Sequence, residues 1–432
     1  MQALLSFDKA PPFAAPLRFF LTAPLFALAA SLVLVAVGPD MLASRWTPAL
    51  LAATHLITVG FMLQVMLGAL IQILPVVAGA NLARPLTVAR WLHGGLSAGG
   101  ALLATGFLAG RHGLLGGGAV MLALAVGGFL IAAIRALTGV PSTSPTIRGL
   151  KLSLAGLAGA VALGCVLALA LANGWSVPLV VLTDLHAGWA LGGWAGVLLA
   201  AMAYVVVPMF QLTPGYPARP SWGFPVVVVG LLLTWSVAVA IGSEVIGRVA
   251  QVAAAVTGIA FAALTLRLQS QRRRARPDAT YRSWQFAVAC AIIGLIMWST
   301  ATVFPVLAEV PGWSTALGVL IIAGGFVSFI VGMLYKIVPF LAWLHLQNLG
   351  GVGVAAPPMN RILSDAEMRY QVWAHFVAVG ALFAACWQPG WLARPAGVSA
   401  AVASAWLFFN LARAFSRYRR HAASILVPVS SP

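Results

Sequence analysis

The chain has 432 residues and a mean hydropathy of +0.99; 61% of its side chains are hydrophobic and 8% are charged. Soluble domains carry about 25% charged residues, so a water-soluble globular protein is excluded. The formal net charge of +17 would suit a nucleic-acid binder, but its distribution along the chain argues for a topology signal and contact with anionic lipid instead.

Residues Met1 to Ala15 are polar to mixed, with no apolar core followed by a small-residue cleavage site, so no cleavable signal peptide is expected. From there the chain reads as twelve apolar runs, at about 17–37, 48–76, 87–109, 114–137, 148–172, 182–210, 222–242, 246–266, 284–308, 314–343, 369–391 and 394–414. Each is close to the roughly 20 residues that an α-helix needs to cross a hydrocarbon core. The runs are continuous rather than alternating, which selects helices over barrel strands. The expected fold is an all-α polytopic membrane protein forming one transmembrane domain. Placing loops alternately on two sides puts 21 of the 25 Lys and Arg on the side that holds both termini. That side includes Arg272, Arg273, Arg274, Arg276 and Arg282, and Arg413, Arg417, Arg419 and Arg420; only Arg45, Arg111, Arg248 and Arg394 fall opposite. The expected location is a bacterial inner membrane with both termini cytoplasmic and the bilayer as the main partner; no nucleic-acid partner is expected. Cys165, Cys290 and Cys386 lie within spans without paired spacing and read as small core residues.

Three runs end in related strings, "GALIQILPVV" around Pro75, "AAMAYVVVPMF" around Pro208 and "GMLYKIVPFL" around Pro339, with the prolines 133 and 131 residues apart. That period is four helices, so helices 2, 6 and 10 correspond and the chain divides into units of about 14–140, 145–268 and 280–415, followed by a basic tail, 416–432. Fifteen residues before each proline stand Gly60, Gly193 and Gly324; seven before stand Gly68, Ala201 and Gly332. Small residues at recurring positions predict close helix approach or room for a flat ligand. Helices 3 and 11 both open on Trp-x-His, at Trp91 and Trp373.

Ionisable groups inside a membrane default to function, and here histidines dominate. Asp40, Asp184, Glu244 and Glu309 all fall near span ends, which argues against a carboxylate-lined proton pump. His55 heads helix 2 and His186 heads helix 6, 20 and 22 residues before their prolines; helix 10 has Val319 and Leu317 at those counts. Imidazole suits haem iron or copper, so His55 and His186 are candidate ligands; the competing reading is a pair of interfacial histidines bonded to backbone or Asp184. Met62 and Met66, seven and eleven residues after His55, share its face on an α-helical count and are candidate thioether ligands, or interface fillers. His93, His345 and His375 gather by topology at the opposite side and form a candidate second metal site. Lys336, Gln72 and Tyr335, near the same ends, are expected to snorkel or to bond the backbone loosened by the prolines. Most of the fifteen tryptophans, including Trp189, Trp194, Trp298 and Trp313, are expected to form an aromatic belt. No nucleotide-binding or hydrolase motif is present.

Twelve helices in three four-helix arcs, with histidines near the same ends of helices 2 and 6, resemble the catalytic subunit of haem-copper oxidases and nitric oxide reductases. That resemblance implies a low-spin haem ligand at His55 and a copper ligand at His186. The family's histidine pairs in helices 7 and 10 have no counterpart in "WGFPVVVVGLLLTWSVAVAI" or "ALGVLIIAGGFVSFIVGMLYKIV", so a complete oxygen-reducing centre is not expected, and neither is proton pumping. The strings "PLRFFLTAPLFAL" and "HLITVGFMLQVMLGALIQILPVVAG" are more closely similar to the NnrS-type family, although that family's second histidine in helix 2 is absent. This resemblance implies b-type haem and copper, a role in nitric oxide, denitrification or respiratory redox metabolism, and a redox partner or respiratory complex subunit. The sequence leaves open a transporter or permease, whose marks are repeats and Gly/Pro-interrupted helices, and a cofactor-free accessory factor of a respiratory complex; it does not decide whether the protein is an enzyme.

Overall fold

The computed structural model describes residues 9–273, 276–350 and 356–426. Among them are twelve helices long and apolar enough to cross a membrane, and no strand, so the chain is a multi-pass helical membrane protein. They are α1 (Ala14–Leu42), α2 (Pro48–Ala78), α3 (Pro85–Ala109), α4 (His112–Leu137), α5 (Pro145–Asn173), α6 (Leu179–Gln211), α7 (Ala218–Ala240), α8 (Glu244–Ser270), α9 (Ala279–Val303), α10 (Trp313–Leu349), α11 (Asp365–Trp387) and α12 (Pro389–Ile425). Arg274 and the tail beyond 426 lie outside the described residues.

Local chemistry sets most boundaries. Prolines occupy the first turns of α2, α3 and α5, where no intrahelical N–H partner is lost. Thr47, Ser144 and Asp278 accept hydrogen bonds from the backbone N–H three residues on, and Ser364 with Glu367 forms a capping box at the head of α11. Gly79, Gly110 and Gly174 end their helices in the left-handed conformation that glycine adopts freely.

Two expected boundaries move. Helix α9 stops at Val303 instead of near 308, because Pro305 cannot continue it; a 3-10 turn, Pro305–Glu309, follows. The basic tail expected from 416 is continuous with α12 as far as the described residues run. At about 1.5 Å per residue its 37 residues reach about 56 Å, well beyond a roughly 30 Å hydrocarbon core. Glu367 holds this overhang: it pairs with Arg413 and Arg417 at 3.0 Å each, and Arg417 also donates to the Ile362 carbonyl.

Helices α2, α6 and α10 are the inner ones. In α2 83% of the apolar window is buried and in α6 and α10 56%, whereas no other helix exceeds 39%. The first and last helices pack together, as do α1 with α2, α5 with α6 and α9 with α10. The recurring small residues sit at the last three of these seams. Gly60 and Gly68 receive Phe26 and Phe19 of α1; Gly193 and Ala201 meet Gly156 and Gly149 of α5; Gly324 and Gly332 receive Cys290 and Ser283 of α9. A Cβ added at Gly68 would sit 2.7 Å from Phe19, and one at Gly332 2.8 Å from Ser283. At those separations the helices would have to move apart.

The same three helices share a backbone irregularity that composition does not signal. Each changes from α to π geometry, at Leu56–Leu63, Gly188–Gly196 and Val319–Val327, and then returns to α. These segments begin 19, 20 and 20 residues before Pro75, Pro208 and Pro339. The prolines lie inside the helices: α2 and α6 end three residues later, while α10 runs on for ten.

Candidate functional site: two anchored imidazoles beside a glycine-walled cavity

His55 ends the first α segment of α2, immediately before its π segment, and His186 stands two residues before the π segment of α6. His55 Nδ1 is 2.8 Å from the Leu51 carbonyl oxygen, one turn back, and its ring stacks on Phe107 of α3 at 5.3 Å between centroids. His186 Nδ1 is 2.9 Å from the Ala160 carbonyl oxygen of α5. A glycine at 164 makes room for that ring, since a Cβ there would lie 2.9 Å from His186 Cε1. A carbonyl oxygen only accepts, so in both rings Nδ1 carries the proton and Nε2 presents its lone pair. Neither Nε2 has a hydrogen-bond partner among the described residues. Asp184 is not their partner: it pairs with Arg45 at 2.7 Å, tying the α1–α2 loop to the head of α6.

Each imidazole is a neutral nitrogen donor held by a backbone carbonyl, the kind of donor that copper or haem iron accepts. Among the described residues no group of three or more His, Cys, Asp or Glu is placed to hold one. Any further ligand would come from outside these side chains.

The methionine count does not survive the π segment. Met62 lies inside it, where more residues fill each turn, so seven positions no longer return to the His55 face. Met62 is 3% exposed in the main core with Phe61 and Leu67, and Met66 packs against the same cluster. The second expected site is not assembled as a three-histidine cluster. His93 is paired with Thr22 of α1 at 2.9 Å, His375 with Ser328 of α10 at 2.8 Å, and His345 stacks on Phe13 at 5.4 Å. Nor do the three polar residues near the prolines snorkel. Lys336 pairs with Asp278 at 3.3 Å, Tyr335 accepts a hydrogen bond from Asn410, and Gln72 is buried. The belt reading fails for Trp189, Trp194, Trp235 and Trp284, all buried between helices; Trp189 donates to Ser236 at 3.0 Å.

Next to His186, and unforeseen from sequence, a cavity of about 880 Å³ opens between α6, α7, α8, α9 and α10. Asp184, Ala187 and Gly188 line it, but His55 and His186 do not. Two of the π segments form its walls through Gly188, Gly192, Gly196 and Gly325. The π register explains two of these glycines. A Cβ at Gly196 would meet the Leu191 carbonyl oxygen at 3.0 Å, and one at Gly325 the Leu320 oxygen at 3.3 Å, each five residues back. The glycine spacing of α6 and α10 was the available sequence signal, but it picked out Gly193, Gly324 and Gly332 at the helix seams and none of the glycines that line the cavity.

No family model matches the chain, and no curated protein matches it at a significant level.

Proposed function

We propose that this membrane protein holds a redox metal, haem iron or copper, on the Nε2 atoms of His55 and His186, and acts in nitric oxide or respiratory redox metabolism at a bacterial inner membrane. The observation that carries the reading is the pair of imidazoles at matching places in two inner helices, each fixed through Nδ1 with Nε2 unpartnered. A metal on these atoms would satisfy lone pairs that no side chain or carbonyl of the described residues engages.

The same reading takes the twelve helices as a haem-copper oxidase-like arrangement of three four-helix units. Its grounds are the common position of the three π segments, the proline period, and the small-residue seams of α2 on α1, α6 on α5 and α10 on α9. In that arrangement both histidines face the periplasmic side and the basic ends of the helices face the cytoplasm.

The bound metal would supply electron transfer or ligand binding at an open coordination position. The chain's own contribution is positioning. The Leu51 and Ala160 carbonyls fix the tautomer, Phe107 and Gly164 fix the ring planes, and the Arg45–Asp184 pair holds the two helix heads together. Elemental analysis of protein purified from membranes tests the proposal. Near-stoichiometric iron or copper that falls in His55→Ala and in His186→Ala is expected; protein free of both metals would refute it.

A further inference from the structure

We infer that the open cleft between the overhang of α12 and the head of α11 is a binding site for an anionic phospholipid, whose headgroup phosphate is held by Arg361, Arg417 and Arg420.

The charge argues for an anion. One wall is the short helical turn Met359–Ile362 and the capping residues of α11, which contribute Asn360, Arg361, Ser364 and Glu367; the other is the overhang, which contributes Arg417, Arg420 and His421. Glu367 is the single carboxylate lining the cleft among the described residues, and its oxygens are already engaged by Arg413, Arg417 and Ser364. Arg361 and Arg420 have no hydrogen-bond or ion-pair partner among the described residues. Three arginines against one glutamate leave an excess of positive charge and a set of N–H donors that lack acceptors.

The fixed geometry argues for a site rather than diffuse attraction. Arg417 donates to both Glu367 oxygens at 3.0 Å and to the Ile362 carbonyl at 3.1 Å, so its guanidinium is in place before any ligand arrives. The planar fork of N–H groups on each arginine matches the oxygens of a phosphate. Basic pockets at the ends of membrane helices take lipid headgroups for this reason.

The surroundings argue for a lipid over a free phosphate. Val398, Val402, Phe409, Arg413 and Arg420 follow one another at intervals of four, seven, four and seven residues, so they share one face of α12. The three apolar members are each more than half exposed, as side chains that meet acyl chains are. Between Phe409 and Arg413, about 6 Å along the axis, this face turns from apolar to basic. On α11, Tyr370 and Trp373 are 58% and 49% exposed and stand three and six residues beyond Glu367. Exposed Tyr and Trp rings mark the level of the headgroups. The cleft therefore stands at that level, and the chains of a lipid bound there run down the exposed face of α12.

Binding is independent of the histidine pair, which does not line the cleft. The test is native mass spectrometry of the full chain in detergent, titrated with phosphatidylglycerol and phosphatidylcholine of matched acyl chains. The blocking variant is the double substitution Arg361→Gln with Arg420→Gln, at two exposed side chains whose loss disturbs no packing. Its control is Arg135→Gln with Arg219→Gln, which removes two exposed arginines from the same end of the bundle but outside the cleft. The wild type is expected to retain phosphatidylglycerol with a preference of at least about tenfold over phosphatidylcholine, the worth of one charge-assisted hydrogen bond. The blocking variant should lose that preference while the control and His55→Ala keep it, and inorganic phosphate in millimolar excess should not displace the lipid. Equal retention of the two lipids by the wild type, equal loss in the blocking and control variants, or displacement by inorganic phosphate would overturn the inference.

Discussion

The His186 ring donates from Nδ1 to the carbonyl oxygen of Ala160 at 2.9 Å, across the seam between α6 and α5. The contact exists because Gly156 and Gly193 bring those helices together lower down, and because Gly164 leaves room for the ring. Helix packing and the orientation of this imidazole are therefore one feature. Replacing Gly164 by Val should reorient the imidazole and reduce the metal bound while the protein still folds, measured as metal per protein beside a thermal unfolding curve.

The seams should be sensitive to side-chain volume and the cavity should not. Gly156→Leu drives a side chain into the Gly193 backbone and is expected to cost about 1–3 kcal/mol or to prevent folding. Gly318→Ala, which points into open space, should fall within about 0.5 kcal/mol of wild type. Thermal unfolding in a single detergent compares them; equal losses at the two positions would mean that the α5–α6 contact is looser than described.

The close seams of α2, α6 and α10 were legible from sequence because Gly60, Gly193 and Gly324 stand at a fixed distance from Pro75, Pro208 and Pro339, and close approach leaves that mark in composition. The π segments were not, since a change of hydrogen-bond register alters neither hydropathy nor residue type. That hidden shift is why Met62 separates from the His55 face. The cavity escaped for another reason: five helices each contribute a few residues to it, and a continuous apolar run does not say which of its faces meets a neighbour and which meets space. The partners of His93 and His375 stand 71 and 47 residues away, on other helices, and no local pattern announces them.

The Arg45–Asp184 pair should align the helix heads more than it stabilises the fold. Both side chains are about two-fifths exposed, so a double-mutant cycle is expected to give a coupling of no more than about 1 kcal/mol, shrinking as salt is raised. Arg45→Ala should nonetheless loosen metal retention, which competition with a chelator measures. Unchanged retention would show that the pair plays no part in holding His55 and His186.

Glu367 ties the end of α12 to the head of α11 through Arg413 and Arg417. Glu367→Gln removes the charge and leaves two guanidinium groups facing an amide. Hydrogen exchange should quicken over residues 413–426 while α2 and α6 keep their protection, and the variant should still bind metal. Uniform protection across the chain would mean that the helix needs no such tether.

Methionine 62 offers a check on which donors matter. Met62→Leu is close to volume-conserving in the packed core, with an expected cost under about 1.5 kcal/mol, and it should leave the metal content unaltered. Loss of metal in this variant alone would restore the thioether as a ligand.

The central claim concerns two nitrogen atoms, and the reduced-minus-oxidised absorbance spectrum of the purified protein, taken beside His55→Ala and His186→Ala and paired with copper and iron quantification, reads it most directly. The account predicts a metal-dependent signal, a Soret and α-band pair for haem or a copper content near one per chain, that is lost in both variants while the helix content is retained. A folded wild-type protein with no such band and no bound copper or iron, or a signal unaffected by either substitution, would contradict it.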